Sequence, residues 1–267
     1  MKTRLISALI LLPIGIAVIL IGGGLFDLVM AFIFTLATYE FVQLMKMGKF
    51  APNLIFAVAF GWVLLLDAAL PHLPLSRPAL ALLLVAALAW QMRQRSGSPT
   101  ANWALTVAGG IYLGVAGAHF ILIRELNNGQ WWLLLALAGT WLADSGAYFV
   151  GRKFGVHKMT PSLSPQKSWE GLVGGVAFGV IFNALLAVLL SQLLSIYLPW
   201  WAGAVLGLIG ALIGVLGDLS ISMIKREVGA KDSGHIIPGH GGVLDRLDSL
   251  LFTMIVSYYF IIWFVAQ

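Results

Sequence analysis

The stretch SMIKREVGAKDSGHIIPGHGGVLDRLD, residues 222–248, is a polar island between an apolar run over 200–221 and another over 249–265. It carries Lys225, Arg226, Lys231 and Arg246, the acids Asp232, Asp245 and Asp248, and the turn Pro238-Gly239-His240-Gly241-Gly242. Cations, carboxylates and a glycine turn beside apolar helices point to anionic phosphates and a metal at a membrane surface. Outside the island the chain is mostly hydrocarbon: 60% of its 267 residues are apolar, 10% are charged, and the mean hydropathy is +0.94. Soluble domains carry about 25% charged residues, so this sequence belongs in a bilayer. The absence of cysteine excludes disulfides, iron–sulfur clusters and thiolate zinc. A net charge of +5 does not signal nucleic acid, because its distribution follows the membrane instead.

A spanning helix needs about 20 mostly apolar residues. Runs interrupted by Pro, Gly or charge predict an all-α bundle of about nine transmembrane helices, near 5–22, 25–45, 53–70, 78–92, 103–123, 131–150, 171–195, 200–224 and 249–266. Pro71, Pro74 and Pro78 divide 53–92 into a hairpin of two pieces. The first run is longer than a signal-peptide core and no A-x-A site follows it, so a retained helix is expected. With the N-terminus cytoplasmic, fourteen of the sixteen Lys and Arg fall on the cytoplasmic side, leaving only Arg77 and Arg124 outside. This is the positive-inside pattern. It predicts a multi-pass inner-membrane protein with a periplasmic C-terminus and the polar island in the cytoplasm. Lys2, Arg4, Lys46, Lys49, Arg93 and Arg95 are read as topogenic anchors.

A second constellation lies at 141–175. Asp144 precedes Arg152 by eight residues, about 12 Å along a helix, and Asp218 precedes Lys225 by seven. Acids at that depth are costly and usually face a cavity or each other; pairing with a neighbouring Arg or Lys, or protonation, is the alternative. Ser164-Pro165 is expected to open the seventh helix, whose free N–H groups, with Lys167, would meet an anion. Gly203, Gly207, Gly210, Gly214 and Gly217 form one small-residue face in the eighth helix, suited to close helix approach just before Asp218. Asp245 and Asp248 are three apart and share a face of the ninth. Clustered carboxylates without cysteine suit a hard cation, Mg²⁺ above all, although both acids could instead be partners of the helix dipole. There is no P-loop or Rossmann fingerprint. Glu40 and Asp67, acids in apolar surroundings, receive no role.

The island resembles the signature of the phosphatidate cytidylyltransferases, also called CDP-diacylglycerol synthases: Ser222, Lys225-Arg226, Lys231-Asp232, His240-Gly241-Gly242 and Asp245-Arg246-Leu247-Asp248 fill its fixed positions. Trp141, Asp144, Ala147 and Tyr148 fit an upstream W-x-x-D-x-x-A-Y element of the same family. Ser164-Pro165-Gln166-Lys167-Ser168-Trp169-Glu170-Gly171 fits its S-P-x-K-[ST]-x-E-G element. Residues 1–140 match only in being hydrophobic. The expected organisation is therefore a lipid-facing scaffold over 1–140 and a catalytic region over 141–267.

The resemblance implies the reaction CTP + phosphatidate → CDP-diacylglycerol + pyrophosphate at the cytoplasmic face. It implies Asp218 and Asp245 as main metal ligands, with Asp144 and Asp248 beside them. Lys225, Arg226, Lys231, Asp232, His240 and Arg246 would be catalytic. Ser164, Lys167, Ser168, Glu170, Ser222, Gly241 and Gly242 would bind substrate. The lipid phosphate is itself a nucleophile near neutral pH, so His240 is expected to donate a hydrogen bond and not to act as a base. CTP, phosphatidate and membrane lipid are the expected partners; a nucleic acid is not, and a homodimer is left open. A CTP-dependent lipid kinase would need similar phosphate clamps. A cation or phosphate transporter would use Asp144 and Asp218 along a pathway.

Overall fold

The computed structural model of the chain describes residues 2–73, 76–94, 97–236 and 241–265, with side chains from 9 onward except that of residue 10. His240, Pro238, Gly239, Pro74, Arg95 and Gln267 of the sequence expectations lie outside the described residues, as do the side chains of Lys2 and Arg4. Among the described residues there are nine helices and one β-hairpin. In chain order they are α1 (Lys2–Ile21), α2 (Gly23–Met47), α3 (Leu54–Ala69), α4 (Ser76–Gln91), α5 (Pro99–Arg124), α6 (Gly129–Phe154), β1 (Lys158–Thr160), β2 (Ser164–Ser168), α7 (Trp169–Leu194), α8 (Trp200–Glu227) and α9 (Leu244–Phe264).

Each helix overlaps one of the runs expected from the sequence. Six of them, α2 and α5 to α9, have the length and apolarity to cross a membrane. At 16 residues each, α3 and α4 extend about 24 Å, less than the roughly 30 Å of a bilayer's hydrocarbon core. The protein is thus a polytopic, all-helical membrane protein with a small polar hairpin.

The chain divides into two compact units. The first comprises Met1–Leu122 and Ile224–Leu247: α1 to α4, nearly all of α5, the end of α8 and the signature loop. Its glycines allow close backbone approach. A Cβ at Gly114 would fall 2.7 Å from the Cα of Gly61, and one at Gly117 would fall 2.8 Å from the Phe34 ring, so α5 packs tightly on α2 and α3. The α2–α3 connection is tied to α5 by two hydrogen bonds, Ala51 N–H to Asn102 Oδ1 at 2.8 Å and Asn53 N–H to Thr106 Oγ1 at 2.8 Å.

The second unit comprises Ile123–Met223 and Asp248–Gln267: α6, the hairpin, α7, and most of α8 and α9. The glycine stripe of α8 meets three different helices. A Cβ at Gly203 would be 2.6 Å from the Asn183 carbonyl of α7, at Gly210 2.7 Å from the Thr140 amide of α6, and at Gly214 3.5 Å from Thr253 Oγ1 of α9. Asn183 Nδ2 also donates to the Gly203 carbonyl at 2.8 Å. Without a hydrophobic force between helices in lipid, this close contact and interhelical hydrogen bonding fix their positions.

One local expectation is corrected. Ser164-Pro165 does not open a helix. Residues 164–168 form β2, paired antiparallel with β1 in the register Lys158↔Ser168 and Thr160↔Ser164. The seventh helix starts at Trp169, capped by Ser168, whose Oγ accepts from the Gly171 amide at 3.1 Å. Ser164 and Ser168 offer the same capping chemistry. The antiparallel partner at 158–160 draws 164–168 into a strand, and Pro165 is tolerated on this edge.

Candidate active site

The described residues gather the predicted site residues into two groups, one in each unit. In the second unit a cavity of about 320 Å³ opens between α6, the hairpin, α7 and α8, with Asp144, Ser164, Lys167, Ser168 and Asp218 on its wall. Lys167 Nζ lies 2.5 Å from Asp218 Oδ2, and both side chains keep partial access to solvent. Ser222 Oγ donates to the other oxygen, Asp218 Oδ1, at 3.2 Å. Asp218 is thereby held in place by one cation and one hydroxyl. The pairing of an intramembrane acid with a nearby lysine, raised by the sequence as an alternative, is realised here. Lys167 reaches the cavity from a strand, one residue before the cap of α7, not from a helix terminus.

Glu170 faces a different task. Its carboxylate accepts the amides of Val156 and His157, each at 3.2 Å, and contacts His157 Nδ1 at 2.5 Å. It pins the connection between α6 and β1 and does not line the cavity.

The first unit holds the core of the signature. Lys225 Nζ is 2.6 Å from Asp245 Oδ1, with the two side chains only 10% and 6% exposed. Asp245 Oδ2 accepts three donors: the Ser233 amide at 2.7 Å, the Ser233 hydroxyl at 2.9 Å and the Gly242 amide at 3.1 Å. The loop can close around this carboxylate because Gly241 adopts φ +81°, a left-handed conformation. A Cβ there would also come 3.0 Å from Asp245 Oδ2. At the exit of α8, Arg226 Nη1 donates to the Ala230 carbonyl at 3.0 Å, closing the turn through Gly229 at φ +72°. Lys231, Asp232, Arg226 and Arg246 are exposed. Asp248, three residues beyond Asp245 on α9, falls in the second unit, where its Oδ1 accepts the Ser249 amide at 2.7 Å.

Among the described residues no three acidic or histidine side chains converge as a ready metal cage. The donor set nevertheless suits a hard cation. An ammonium group already sits against Asp218 and another against Asp245, marking both carboxylates as oxygens that draw positive charge, and oxygen-only donors favour Mg²⁺ over softer metals.

Sequence reasoning missed Glu40 and Ser233. Glu40, on α2, is 2% exposed and accepts hydrogen bonds from Ser233, Val243 and Leu244. Its partners lie about two hundred residues away in the chain, so no spacing rule could link them. The available signal was an acid in an apolar helix, which is expensive without partners.

Comparison with known proteins bears on this arrangement. The sequence profile of the family described as "Cytidylyltransferase family" matches residues 2–264. The chain is 39% identical over 259 residues to a phosphatidate cytidylyltransferase of Pseudomonas aeruginosa, covering 94% of this chain and 93% of the relative. It is 32% identical over 294 residues to a phosphatidate cytidylyltransferase of Synechocystis, covering 97% and 96%. A Staphylococcus haemolyticus protein of the same name is 32% identical over 262 residues, covering 95% and 96%.

Proposed function

The chain belongs to the cytidylyltransferase family, and from that premise we propose that it is a CTP-dependent nucleotidyltransferase that makes CDP-diacylglycerol from CTP and phosphatidate. A phosphate oxygen of the lipid attacks the α-phosphorus of CTP; the new P–O bond forms as the bond to the β-phosphate bridging oxygen breaks, and pyrophosphate leaves with that electron pair. Both substrates and the leaving group are polyanions, so placement and neutralisation of charge dominate the barrier. The single observation that best supports this reading is the pair of lysine–carboxylate contacts, Lys167–Asp218 and Lys225–Asp245, in which Lys167, Lys225 and Asp245 are motif residues and Asp218 lies four residues before the signature.

Lys167 lines the cavity with Ser164 and Ser168, a set of donors suited to a phosphate. Lys225 is fixed by Asp245 beside the amides of a glycine turn, which can approach a phosphate closely. The exposed Arg226, Lys231 and Arg246 are assigned to the triphosphate oxygens. His240 is assigned to the same task as hydrogen-bond donor, whereas Asp232, an anion, is assigned to the catalytic set as a carboxylate and not as a phosphate contact; Ser222 steadies Asp218, and Gly241 and Gly242 let the loop backbone come close. Asp144, Asp218, Asp245 and Asp248 are the carboxylates assigned to Mg²⁺. When bound, that ion supplies neutralisation of triphosphate charge.

The charge distribution supports a cytoplasmic position for the motif residues in an inner-membrane protein, where CTP is, with most of the chemistry assigned to 141–267. Purified protein supplied with CTP, phosphatidate and Mg²⁺ is expected to release pyrophosphate and form CDP-diacylglycerol in equal amounts. Release of CDP with a phosphorylated lipid, measured by mass spectrometry, would identify a lipid kinase instead.

A further inference from the structure

Glu40 is the most deeply buried acid of the chain, 2% exposed, and its carboxylate is bound by residues of the signature loop. Oε1 accepts the Val243 amide at 3.0 Å; Oε2 accepts the Leu244 amide at 2.8 Å and the Ser233 hydroxyl at 3.0 Å. Because α9 begins at Leu244, those amides are among the first donors of that helix, which no carbonyl within the helix can satisfy. A carboxylate there also complements the positive end of the helix dipole. One side chain of α2 therefore caps α9 and at the same time holds the loop at Ser233.

The same two segments hold Asp245. Its Oδ2 takes the Ser233 amide, the Ser233 hydroxyl and the Gly242 amide. The Ser233 hydroxyl lies 3.0 Å from Glu40 and 2.9 Å from Asp245, yet it has one proton to give. Two buried carboxylates are thus joined through one hydroxyl. The glycines around them fit the same account. A Cβ at Gly234 would fall 2.6 Å from Glu40 Oε1, and one at Gly242 would clash with both the Ser233 hydroxyl and the Glu40 carboxylate. Gly242 of the signature is small because Glu40 occupies the space beside it.

We propose that Glu40 is a positioning residue for the reaction: its carboxylate clamps Ser233 and the first amides of α9, and so sets the orientation of Asp245 toward Lys225 and the phosphates. The proposal rests on the function proposed above for what Asp245 does, but the clamp itself has its own readout.

The test uses the full-length protein in lipid nanodiscs, with Glu40→Gln and Glu40→Ala, Ser233→Ala, and the Glu40→Gln/Ser233→Ala double variant. Glutamine keeps one acceptor oxygen but turns an NH₂ toward a backbone amide, so it relaxes the clamp with little change of volume. Hydrogen exchange of peptides covering 241–250 is expected to speed up in both Glu40 variants, while peptides from α6 and α7 stay protected. Turnover per folded molecule should fall about 10–100-fold, as for residues that orient a ligand-bearing side chain. The Mg²⁺ concentration for half-maximal rate should rise, and the KM for CTP should change little. The double variant should be no slower than the worse single one, because both act through the same hydroxyl.

Unchanged exchange at 241–250 in Glu40→Gln overturns the clamp. Faster exchange with unchanged turnover and Mg²⁺ dependence overturns its role in the reaction, leaving Glu40 structural. If Glu40→Ala does not fold, Glu40→Gln carries the same decisions. If the wild-type protein does not turn over CTP with phosphatidate, the proposed function fails separately, and exchange alone then decides the clamp.

Discussion

Replacing Lys225 by Met tests whether the buried pair at the heart of the signature holds the loop together. The substitution keeps the length and most of the volume of the side chain, and removes only the charge. Asp245, whose side chain is 6% exposed, then loses its ammonium partner and keeps the amides of Ser233 and Gly242 and the hydroxyl of Ser233. Removing one partner of a buried ion pair costs about 3–5 kcal/mol. The three remaining donors put this case near the lower end, at about 3 kcal/mol. For a chain of this size that corresponds to a fall of about 6–12 °C in melting temperature. Asp245→Asn should cost less, because a lysine at the end of a helix can turn its ammonium toward water. Combining the two substitutions should recover part of the loss, with a coupling of about 1–3 kcal/mol. The assay is thermal unfolding of the purified protein in one detergent, followed by tryptophan fluorescence, for wild type, both single variants and the double. Strict additivity, or a Lys225→Met protein as stable as wild type, would refute the view that this contact organises the loop.

Three further outcomes follow from the geometry. Asp218→Asn should abolish turnover at saturating Mg²⁺ while the protein stays folded, whereas Lys167→Ala should act mainly on the KM of one substrate; steady-state kinetics with CTP and phosphatidate titrated separately checks both, and wild-type rates in Asp218→Asn would remove that acid from the site. Ser168→Ala should lower stability by about 1 kcal/mol through loss of the α7 cap, whereas Ser164→Ala should not, a contrast that thermal unfolding reads directly. A reporter inserted near Gly155 should read cytoplasmic and one fused after Gln267 periplasmic; a cytoplasmic C-terminus would mean that one of the short helices, α3 or α4, does not cross.

Much of the architecture was legible in the residues. The breaks at Pro71, Gly22, Gly155 and Pro199 lie between helices that form where the apolar runs predicted, because in lipid a backbone without internal hydrogen bonds is too costly to leave irregular. The motif residues were legible too, because their order and spacing fit the family's elements, whereas charges such as Lys46 and Lys49 at other helix ends read as topogenic anchors. The start of α7 was not. Ser164-Pro165 and Ser168 are equally good local signals, and pairing with Lys158–Thr160 chose between them. The role of Glu170 was likewise hidden, because its partners on 156–157 are set by the turn out of α6.

By itself, the sequence determined that the protein is helical and membrane-embedded, which residues carry its charge, and which family it belongs to. The first two follow from composition and from spacing along one chain, and the third from the match of its motifs and of the whole chain to the family. Only the tertiary structure decided which acid meets which cation: Lys167 with Asp218, Lys225 with Asp245, and Glu40 with the amides of Val243 and Leu244. The reason is range. Helix periodicity and capping act over a few residues, whereas a buried carboxylate takes whatever donors the packed helices bring within about 3 Å, and for Glu40 those donors lie some two hundred residues away along the chain.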